Sequence, residues 1–442
     1  MTQEEEIAQL RADNQRLQEQ LAQALKRIEE LERQKTPPPS FVKANVTKAH
    51  EKKTRKKRSA EHNGVRKRAE PTQVVDHRIE ICSTCQGHLS SMVLARRRQV
   101  IEVAPPPPVE VIEHQVYKGW CSFCRAWQQA PLDVREQAFG QGRLSQRIAS
   151  LIAYLRTSLR LPIRQIQNYL SSLHGLAVSV GEFVEVLHRL EELARPHVDA
   201  IKQQARSRSV VHADETGWRE DGRTGYVWSL STQQGERYFE YHHSRAGAVA
   251  TALVGEEFKG VLVSDFYGGY NDLACAHQRC WVHLLRDLHE LKEAWPHEDA
   301  IQSWIAEVDG LYRRGMSQQG SGKEAYQALL MRAKELAGCS ASVKKHPCQA
   351  LCKRLLRHQD ELFQFVLKAE VPAHNNLAER SIRPLVVARK VSGGTRSSQG
   401  SSQGSTTRMT LTSLFATWHA QGLNTMEQCR LMLSLPTPLP QP

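Results

Sequence analysis

The sequence predicts an α/β core with a helical insertion, preceded by a coiled coil, a cysteine-rich finger and a helical domain. Three observations lead to this class. Short β-branched runs in the middle of the chain, each ending on an acidic residue, are typical of buried strands. A long charged stretch with helical periodicity separates these runs from a third acidic segment. Upstream of the core, heptad spacing is followed by paired cysteines and then by helical periodicity.

The composition favours an anionic partner. Lys and Arg number 60 against 47 Asp and Glu, a formal net charge of +13, and such a surplus attracts polyanions such as nucleic acid. No apolar run reaches the roughly 18 residues of a membrane span, and the acidic start Met1–Glu6 is not typical of a secretory signal. Ten cysteines, four of them in Cys-x-x-Cys pairs, suit metal ligation and reduced thiols better than disulfides. We therefore expect a cytoplasmic, nucleoid-associated protein with no membrane partner.

Residues 1–35 are predicted to form a parallel coiled coil. Apolar residues recur at positions a and d over four heptads, and the polar exception, Asn14, favours two strands. We expect a homodimer or a higher oligomer through this segment; a single amphipathic helix packed on its own protein is the alternative. Residues 36–72 are predicted to form a basic linker, because residues 41–70 contain eleven Lys or Arg and only three Glu. It is predicted to be disordered and either to contact phosphates or to have no partner.

Two Cys-x-x-Cys pairs within residues 73–135 predict a zinc finger: Cys82 with Cys85, and Cys121 with Cys124. Alternating, strand-like segments lie between the pairs, as in a zinc ribbon. Four thiolates around one tetrahedral Zn²⁺ leave no open position, so this zinc would be structural. Two unrelated pairs of structural cysteines are the alternative, because the 35 residues between the pairs exceed the usual spacing.

Residues 140–206 change to helical periodicity and are predicted to form a helix-turn-helix-like DNA-binding domain. Apolar residues from Leu144 to Leu155 line one helix, Pro162 begins a second, and Ser179 caps a third that runs to about Leu193. The turn before Ser179 fits a helix-turn-helix. A purely structural role for these helices is the alternative.

Residues 207–425 contain the predicted α/β core. Ser209–Asp214 and Gly260–Asp265 are strand-like runs that each end on an aspartate, with two strands and a helix between them. This order is the beginning of a ribonuclease-H-like fold, in which the first and fourth strands are neighbours, so the two aspartates are expected to meet. Because side chains alternate along a strand, Glu215 is expected to point to the opposite face from Asp214 and not to bind metal.

A third acidic residue, Glu379, follows the helical insertion, which spans about residues 296–370. Polar residues share one face of the helix start that carries it: Asn375, Asn376, Glu379 and Arg383. This indicates a site, whereas a capping box in which Glu379 only bonds the helix start is the alternative. Pro384 is expected to end or kink the helix. Three acids on two strands and a helix suit two divalent cations such as Mg²⁺.

Further residues near these acids are also candidates. Cys280 and His283 have metal-ligand spacing and Cys275 is close, so a second zinc site is one interpretation; a core cysteine and a structural histidine are the other. Beyond the helix, basic residues are predicted to contact DNA, partly from a mobile Gly/Ser-rich loop over Ser392–Ser405. They are Arg389, Lys390 and Arg396. Residues 426–442 form a C-terminal tail.

These motifs resemble the large-subunit transposases of the IS-sixty-six (IS66) insertion-sequence family over nearly the whole chain. The resemblance rests on the zipper, the cysteine pairs, the segments at Asp214 and Asp265, the Cys-x-x-His motif and, most specifically, Asn-Asn-x-x-Glu-Arg-x-x-Arg ending at Arg383. It implies a DDE triad of Asp214, Asp265 and Glu379 with Mg²⁺ (or Mn²⁺) as cofactor, two ions per active site. The residues expected to support the triad are Cys280, His283, Asn375, Asn376, Arg380 and Arg383.

The expected function is therefore metal-dependent cleavage of the 3′ ends of an insertion sequence, followed by strand transfer into target DNA. The expected partners are double-stranded DNA, as terminal inverted repeats and as target, with small helper proteins of the same element as a further candidate. A ribonuclease-H-like nuclease that cuts without joining is one alternative. A DNA-binding regulator whose carboxylates are structural is the other.

Overall fold

The computed structural model describes residues 14–23, 25–26, 68–103, 105–106, 108–134, 137–338, 340–397 and 401–434. The chain divides into two compact units, residues 1–103 and 104–442, and each is described by itself. No helix among these described ranges is both long and apolar enough to cross a membrane.

The first unit contains helix α1, described over residues 14–23 and 25–26. Leu17 and Leu21, both on the predicted seam, are 64% and 61% exposed. Most of the remaining seam and most of the basic linker lie outside the described residues. The coiled-coil dimer stays a prediction.

Deleting residues 1–34 is expected to shift the protein from dimer toward monomer in sedimentation velocity, because the predicted seam would be lost. Asn14→Leu in the full chain is the companion variant. It should strengthen helix association but relax the preference for two strands, since a buried Asn at an a position favours specificity over stability. A deletion variant that sediments as an unchanged dimer would place the contact elsewhere.

The second unit begins with a small hairpin, β1 (Lys118–Cys121) and β2 (Ala126–Gln129), followed by three helices: α2 (Gln146–Thr157), α3 (Ile163–His174) and α4 (Val180–Ser207). Ser179 caps α4 through Glu182 N, as the sequence predicts. Helix α4 does not end near Leu193 as expected; it continues through Pro196. Buried Val198 and Ile201 extend its apolar face, so packing outweighs the one hydrogen bond that Pro196 cannot donate.

The central sheet has five strands in the order β5-β4-β3-β6-β7. They are β3 (Val210–Glu220), β4 (Arg223–Ser231), β5 (Arg237–His242), β6 (Val261–Ser264) and β7 (Ala276–Arg279). The first three are antiparallel, whereas β3 pairs with β6 and β6 with β7 in parallel. The sequence prediction that the strands leading to Asp214 and Asp265 are neighbours is confirmed.

Strand β3 is longer than the sequence predicts. It was expected to end at Asp214, but it continues to Glu220 because β4 supplies an antiparallel ladder along its second half. The parallel pairing with β6 ends earlier, at His212. Asp221 and Gly222, with φ of 50° and 78°, form the tight turn into β4 that this dipeptide predicts.

Helices cover both faces of the sheet. On one side, α2–α4 share a hydrophobic core with α5 (Gly247–Val254), α12 (Gln403–Ala420) and α13 (Thr425–Ser434). The predicted C-terminal tail therefore contributes a helix, whose Cys429 and Met432 are buried in this core. On the other side lie α6 (Trp281–Ala294) and the helical insertion, which comprises α7 (Asp299–Ser317), α8 (Lys323–Gly338), α9 (Gln349–Arg357) and α10 (Gln364–Leu367).

Helix α11 (Asn376–Ser392) also packs against the sheet. It does not end after Pro384, where the sequence predicted an end or a kink, but at Gly393, whose φ of 75° suits a glycine C-cap. Ile382, Leu385 and Ala388 bury one face of α11 against β3 and β4, which keeps the helix continuous past the proline.

Candidate active site

Asp214 and Asp265 lie side by side at the centre of the sheet. In the parallel ladder His212 is opposite Val263, so Asp214 and Asp265 each stand two residues beyond the last paired position. Side chains alternate as predicted: Val210 packs with the core beneath the insertion, whereas Val211 packs with the core on the other face. The register of two neighbouring strands therefore brings two carboxylates to one place.

The segment that carries Asp265 is held rigidly. The carboxylate accepts a hydrogen bond from Tyr267 N at 2.9 Å, and the Asp265 carbonyl accepts one from the guanidinium of Arg279, also at 2.9 Å. Arg279 is completely buried in β7 and also forms a salt bridge with Glu361. Although burial opposes ionisation, hydrogen bonds from His358 and Arg279 lower the pKa of Glu361 to about 2. The insertion thus anchors the Asp265 turn through this arginine.

Asn375 brings the start of α11 onto β3. Its amide oxygen lies 3.0 Å from His212 Nδ1, its amide nitrogen donates to the Ala213 carbonyl at 2.8 Å, and its backbone N–H donates to Cys280 Sγ at 3.1 Å. Burial lowers the pKa of His212 to about 4, so this ring is neutral at pH 7 and can donate from Nδ1. One buried asparagine therefore fixes Glu379, one helical turn later, relative to Asp214.

The contacts of Glu379 do not match the capping alternative. The residue that caps α11 is Asn375, and its side chain makes no capping hydrogen bond. Glu379 Oε1 is buried yet has no hydrogen-bond partner, and His283 Nε2 lies 3.7 Å from it. A capping-box glutamate would instead accept from the start of its helix.

The acidic groups of this cluster hinder one another's ionisation. Burial raises the pKa of Asp214 well above its usual value, and the carboxylates of Glu215, Asp265 and Glu379 raise it further. Crowded carboxylates in a buried place resist simultaneous ionisation, and a divalent cation removes that repulsion. Asp214, Asp265 and Glu379 have the charge and the oxygen ligands that Mg²⁺ prefers.

Glu215 points away from Asp214, as strand alternation predicts, and belongs to a network that the sequence did not reveal. It accepts hydrogen bonds from Tyr270 Oη at 2.6 Å and Arg245 Nε at 3.1 Å. Arg245 lies 3.9 Å above the ring of Tyr267 and remains 44% exposed. Burial raises the pKa of Glu215, as does the carboxylate of Asp265, while these hydrogen bonds lower it.

Cys280 and His283 lie beside Glu379. Cys280 is the N-cap residue of α6 and is fully buried. His283 lies in the first turn of that helix, and its side chain is 28% exposed. Together with Glu379 they form a group whose potential ligand atoms all lie within 4.8 Å of one another. Cys275 is not in this group; its thiol lies 3.8 Å from His277 Nε2.

The residues predicted to support the triad and those predicted to contact DNA differ in their surroundings. Arg380, Arg383, Lys390 and Arg396 are exposed and Asn376 is partly exposed. Arg389 instead donates to the Gly217 carbonyl and to Thr216, so it braces α11 against β3. The described part of the Gly/Ser-rich loop is hydrogen-bonded to the β3–β4 hairpin, including Ser397 Oγ to Glu220 at 2.7 Å. These bonds were not expected from its composition, which predicted a mobile loop.

The two cysteine pairs have similar local geometry. Backbone N–H groups of Cys85 and Thr84 lower the pKa of the Cys82 thiol, and those of Cys124 and Phe123 do the same for Cys121. The residue after each pair, Gln86 or Arg125, has a positive φ, 59° and 48° respectively. Such N–H···S turns are suited to thiolates that bind metal. The pairs belong to different units, and their joint zinc site stays a prediction.

Cys82→Ser and Cys121→Ser are each expected to lose the same equivalent of Zn²⁺, because the four thiolates are predicted to hold one ion. Metal analysis of the purified variants checks this. Binding to labelled DNA ends should weaken in both variants while cleavage of the DNA that does bind persists. Full retention of zinc by either variant would contradict a shared site.

Comparison with known proteins identifies the family of this chain. Residues 141–403, more than half of the chain, match the family model described as transposase IS66 family. An uncharacterized protein, y4qI of Sinorhizobium fredii (strain NBRC 101917 / NGR234), is 24% identical over 391 residues, covering 79% of this chain and 69% of that protein. Another uncharacterized protein of this strain, y4jO, is 28% identical over 140 residues, covering 32% of this chain and 43% of that protein. The match spans the sheet, the insertion and the start of α11, and the chain belongs to the IS66 transposase family.

Proposed function

We propose that this chain is a DDE transposase that cleaves the 3′ ends of an insertion sequence and joins them to target DNA. The observation that carries the proposal is the convergence of Asp214, Asp265 and Glu379 from two neighbouring strands and a helix start. Burial and the neighbouring Glu215 contribute most to the raised pKa of Asp214, and the carboxylates of Asp265 and Glu379 raise it further, as expected of acidic groups placed close together.

The fold supports this chemistry. Numbered from β3, the strand order is 3-2-1-4-5, with three antiparallel strands followed by two parallel ones. This is the arrangement expected of a ribonuclease-H-like core. The helical insertion lies between the last strand and the helix with the third acid, as the sequence suggested.

The three carboxylates would hold two Mg²⁺ (or Mn²⁺) ions. Such ions supply positive charge to the phosphodiester during hydrolysis and strand transfer. The protein contributes the placement of the acids: Arg279 supports the Asp265 turn, and Asn375 joins the start of α11 to β3. No side chain needs to form a covalent intermediate.

The exposed basic residues would hold the DNA. Arg380 and Arg383 lie on α11 close to Glu379 in the chain, and Lys390 and Arg396 follow. Phosphate contacts from such residues position DNA without reading its sequence, and they weaken as salt increases. Arg245, which is paired with Glu215, is a further half-exposed cation that the sequence did not single out.

The deciding experiment is incubation of the purified chain with labelled element ends, target DNA and Mg²⁺. Cleavage followed by strand joining supports the transposase. Cleavage without joining would indicate a ribonuclease-H-like nuclease, and binding without cleavage a DNA-binding regulator. A parallel reaction with EDTA measures the dependence on metal.

A further inference from the structure

We infer that Cys280, His283 and Glu379 form a binding site for a thiophilic divalent cation such as Zn²⁺, and that a cation bound there withdraws Glu379 from the Mg²⁺ site. The first part rests on side-chain geometry alone. The second part rests on the proposed function, because it assigns Glu379 to the catalytic metals. The site would make Zn²⁺ an inhibitor of this enzyme.

The geometry brings three different ligands together from two helix starts. Cys280 and His283 begin α6, and Glu379 lies in the first turn of α11. The two starts are joined directly, since Asn375 N donates to Cys280 Sγ at 3.1 Å. The ligand atoms of all three residues lie within 4.8 Å of one another, and one tetrahedral ion bound between them would draw them closer.

Buried polar atoms without partners provide a second observation. Glu379 Oε1 and His283 Nδ1 are both shielded from solvent, and neither makes a hydrogen bond. Buried polar atoms are nearly always paired, so an unpaired carboxylate oxygen beside a thiol and an imidazole indicates a missing partner. Glu379 Oε1 and His283 Nε2 are 3.7 Å apart, too far for a hydrogen bond.

The donor set selects the metal. Sulfur and nitrogen ligands favour Zn²⁺, whereas Mg²⁺ prefers oxygen and does not compete for a thiol. Three protein ligands leave a fourth position open for water or a phosphate oxygen. His283 and Glu379 are 28% and 37% exposed, which gives an ion access to the buried Cys280 thiol. Binding would release the thiol proton to solvent as the Cys280 sulfur bonds the metal.

Inhibition would follow from the shared carboxylate. Glu379 bound toward Cys280 and His283 is less available to the cations held by Asp214 and Asp265. Zn²⁺ added to a Mg²⁺ reaction should therefore reduce cleavage, and chelation of Zn²⁺ should restore it. The DNA-binding step should be unaffected at the same Zn²⁺ concentrations.

The binding test uses Co²⁺, whose bond to a thiolate gives a sulfur-to-metal charge-transfer absorption. The full-length chain is used with Cys82→Ser and Cys121→Ser, which removes two thiolates of the predicted finger. We expect this protein to show the band, added Cys280→Ser to abolish it, and His283→Ala to weaken Co²⁺ binding by at least about tenfold. Cys275→Ser is the matched control and should retain the band. Circular dichroism verifies that each variant is folded.

The inhibition test compares Zn²⁺ titrations, each scaled to the variant's own zinc-free cleavage. In the Cys280→Ser variant half-inhibition should require at least about tenfold more Zn²⁺.

Absence of the Co²⁺ band, or an undiminished band in Cys280→Ser, would overturn the metal site even if cleavage is strong. A band without any cleavage would retain the site and overturn the proposed function. A band with Zn²⁺-resistant cleavage would overturn the link between them.

Discussion

Asp214→Asn, Asp265→Asn and Glu379→Gln are each expected to abolish cleavage of element ends while DNA binding stays nearly intact. Each change removes one negative charge where two cations and a phosphate must be balanced, but it preserves the shape of the side chain. Binding should persist because phosphate contacts come from Lys and Arg. Gel-shift and cleavage assays on the same preparations measure the two effects separately.

Glu215→Gln is the matched control for these variants. Its side chain lies on the opposite face of β3, and glutamine can still accept hydrogen bonds from Tyr270 and Arg245. Most cleavage activity should remain in the Glu215→Gln variant.

The capping alternative for Glu379 predicts that Glu379→Gln keeps its activity, since glutamine also serves in a capping box. Strong cleavage by that variant would remove Glu379 from the triad.

Asn375→Ala is expected to destabilise the protein and to raise the Mg²⁺ concentration needed for cleavage. The change leaves His212 Nδ1 and the Ala213 carbonyl buried without their partner. Each unpaired buried group costs about 1–3 kcal/mol, so for two groups we expect a loss of roughly 2–6 kcal/mol in the free energy of unfolding. The start of α11 would also lose its bond to β3, and Glu379 would be held less precisely.

Asn376→Ala provides the comparison, because Asn376 is only partly buried and follows directly in the chain. Its free energy of unfolding should change by no more than about 0.5 kcal/mol. Denaturant unfolding gives the stabilities, and cleavage rates over a Mg²⁺ series give the metal requirement. If the Asn375→Ala variant keeps the stability and the Mg²⁺ dependence of the unaltered chain, Asn375 does not position Glu379.

Local patterns predicted much of the sheet and singled out Asp214, Asp265 and Glu379 as candidate site residues. A β-branched run needs burial on both faces, so the strands before Asp214 and Asp265 could be recognised from residue type alone. Strand alternation correctly separated Asp214 from Glu215. Ser179 and the Asp221-Gly222 turn act through their immediate neighbours, and such signals are present in the sequence itself.

Other features depended on contacts between distant residues. Strand β3 extends beyond Asp214 because β4 pairs with it, and helices α4 and α11 continue past Pro196 and Pro384 because their apolar faces are buried. In each case a tertiary contact outweighs a local preference, which amounts to only a few kcal/mol at a proline. The composition of β3, α4 and α11 could not show which distant elements pack against them.

The sequence by itself determined the order of the strands, the acids they carry and the family motif at the start of α11. Only the tertiary structure showed that Asn375 joins β3 to Cys280, that Arg389 braces Gly217 and that Glu379 faces both His283 and Cys280. Residues 280 and 379 lie almost one hundred positions apart, and no periodicity relates them. Their contact exists because the packing of α6 and α11 against one sheet brings two helix starts together.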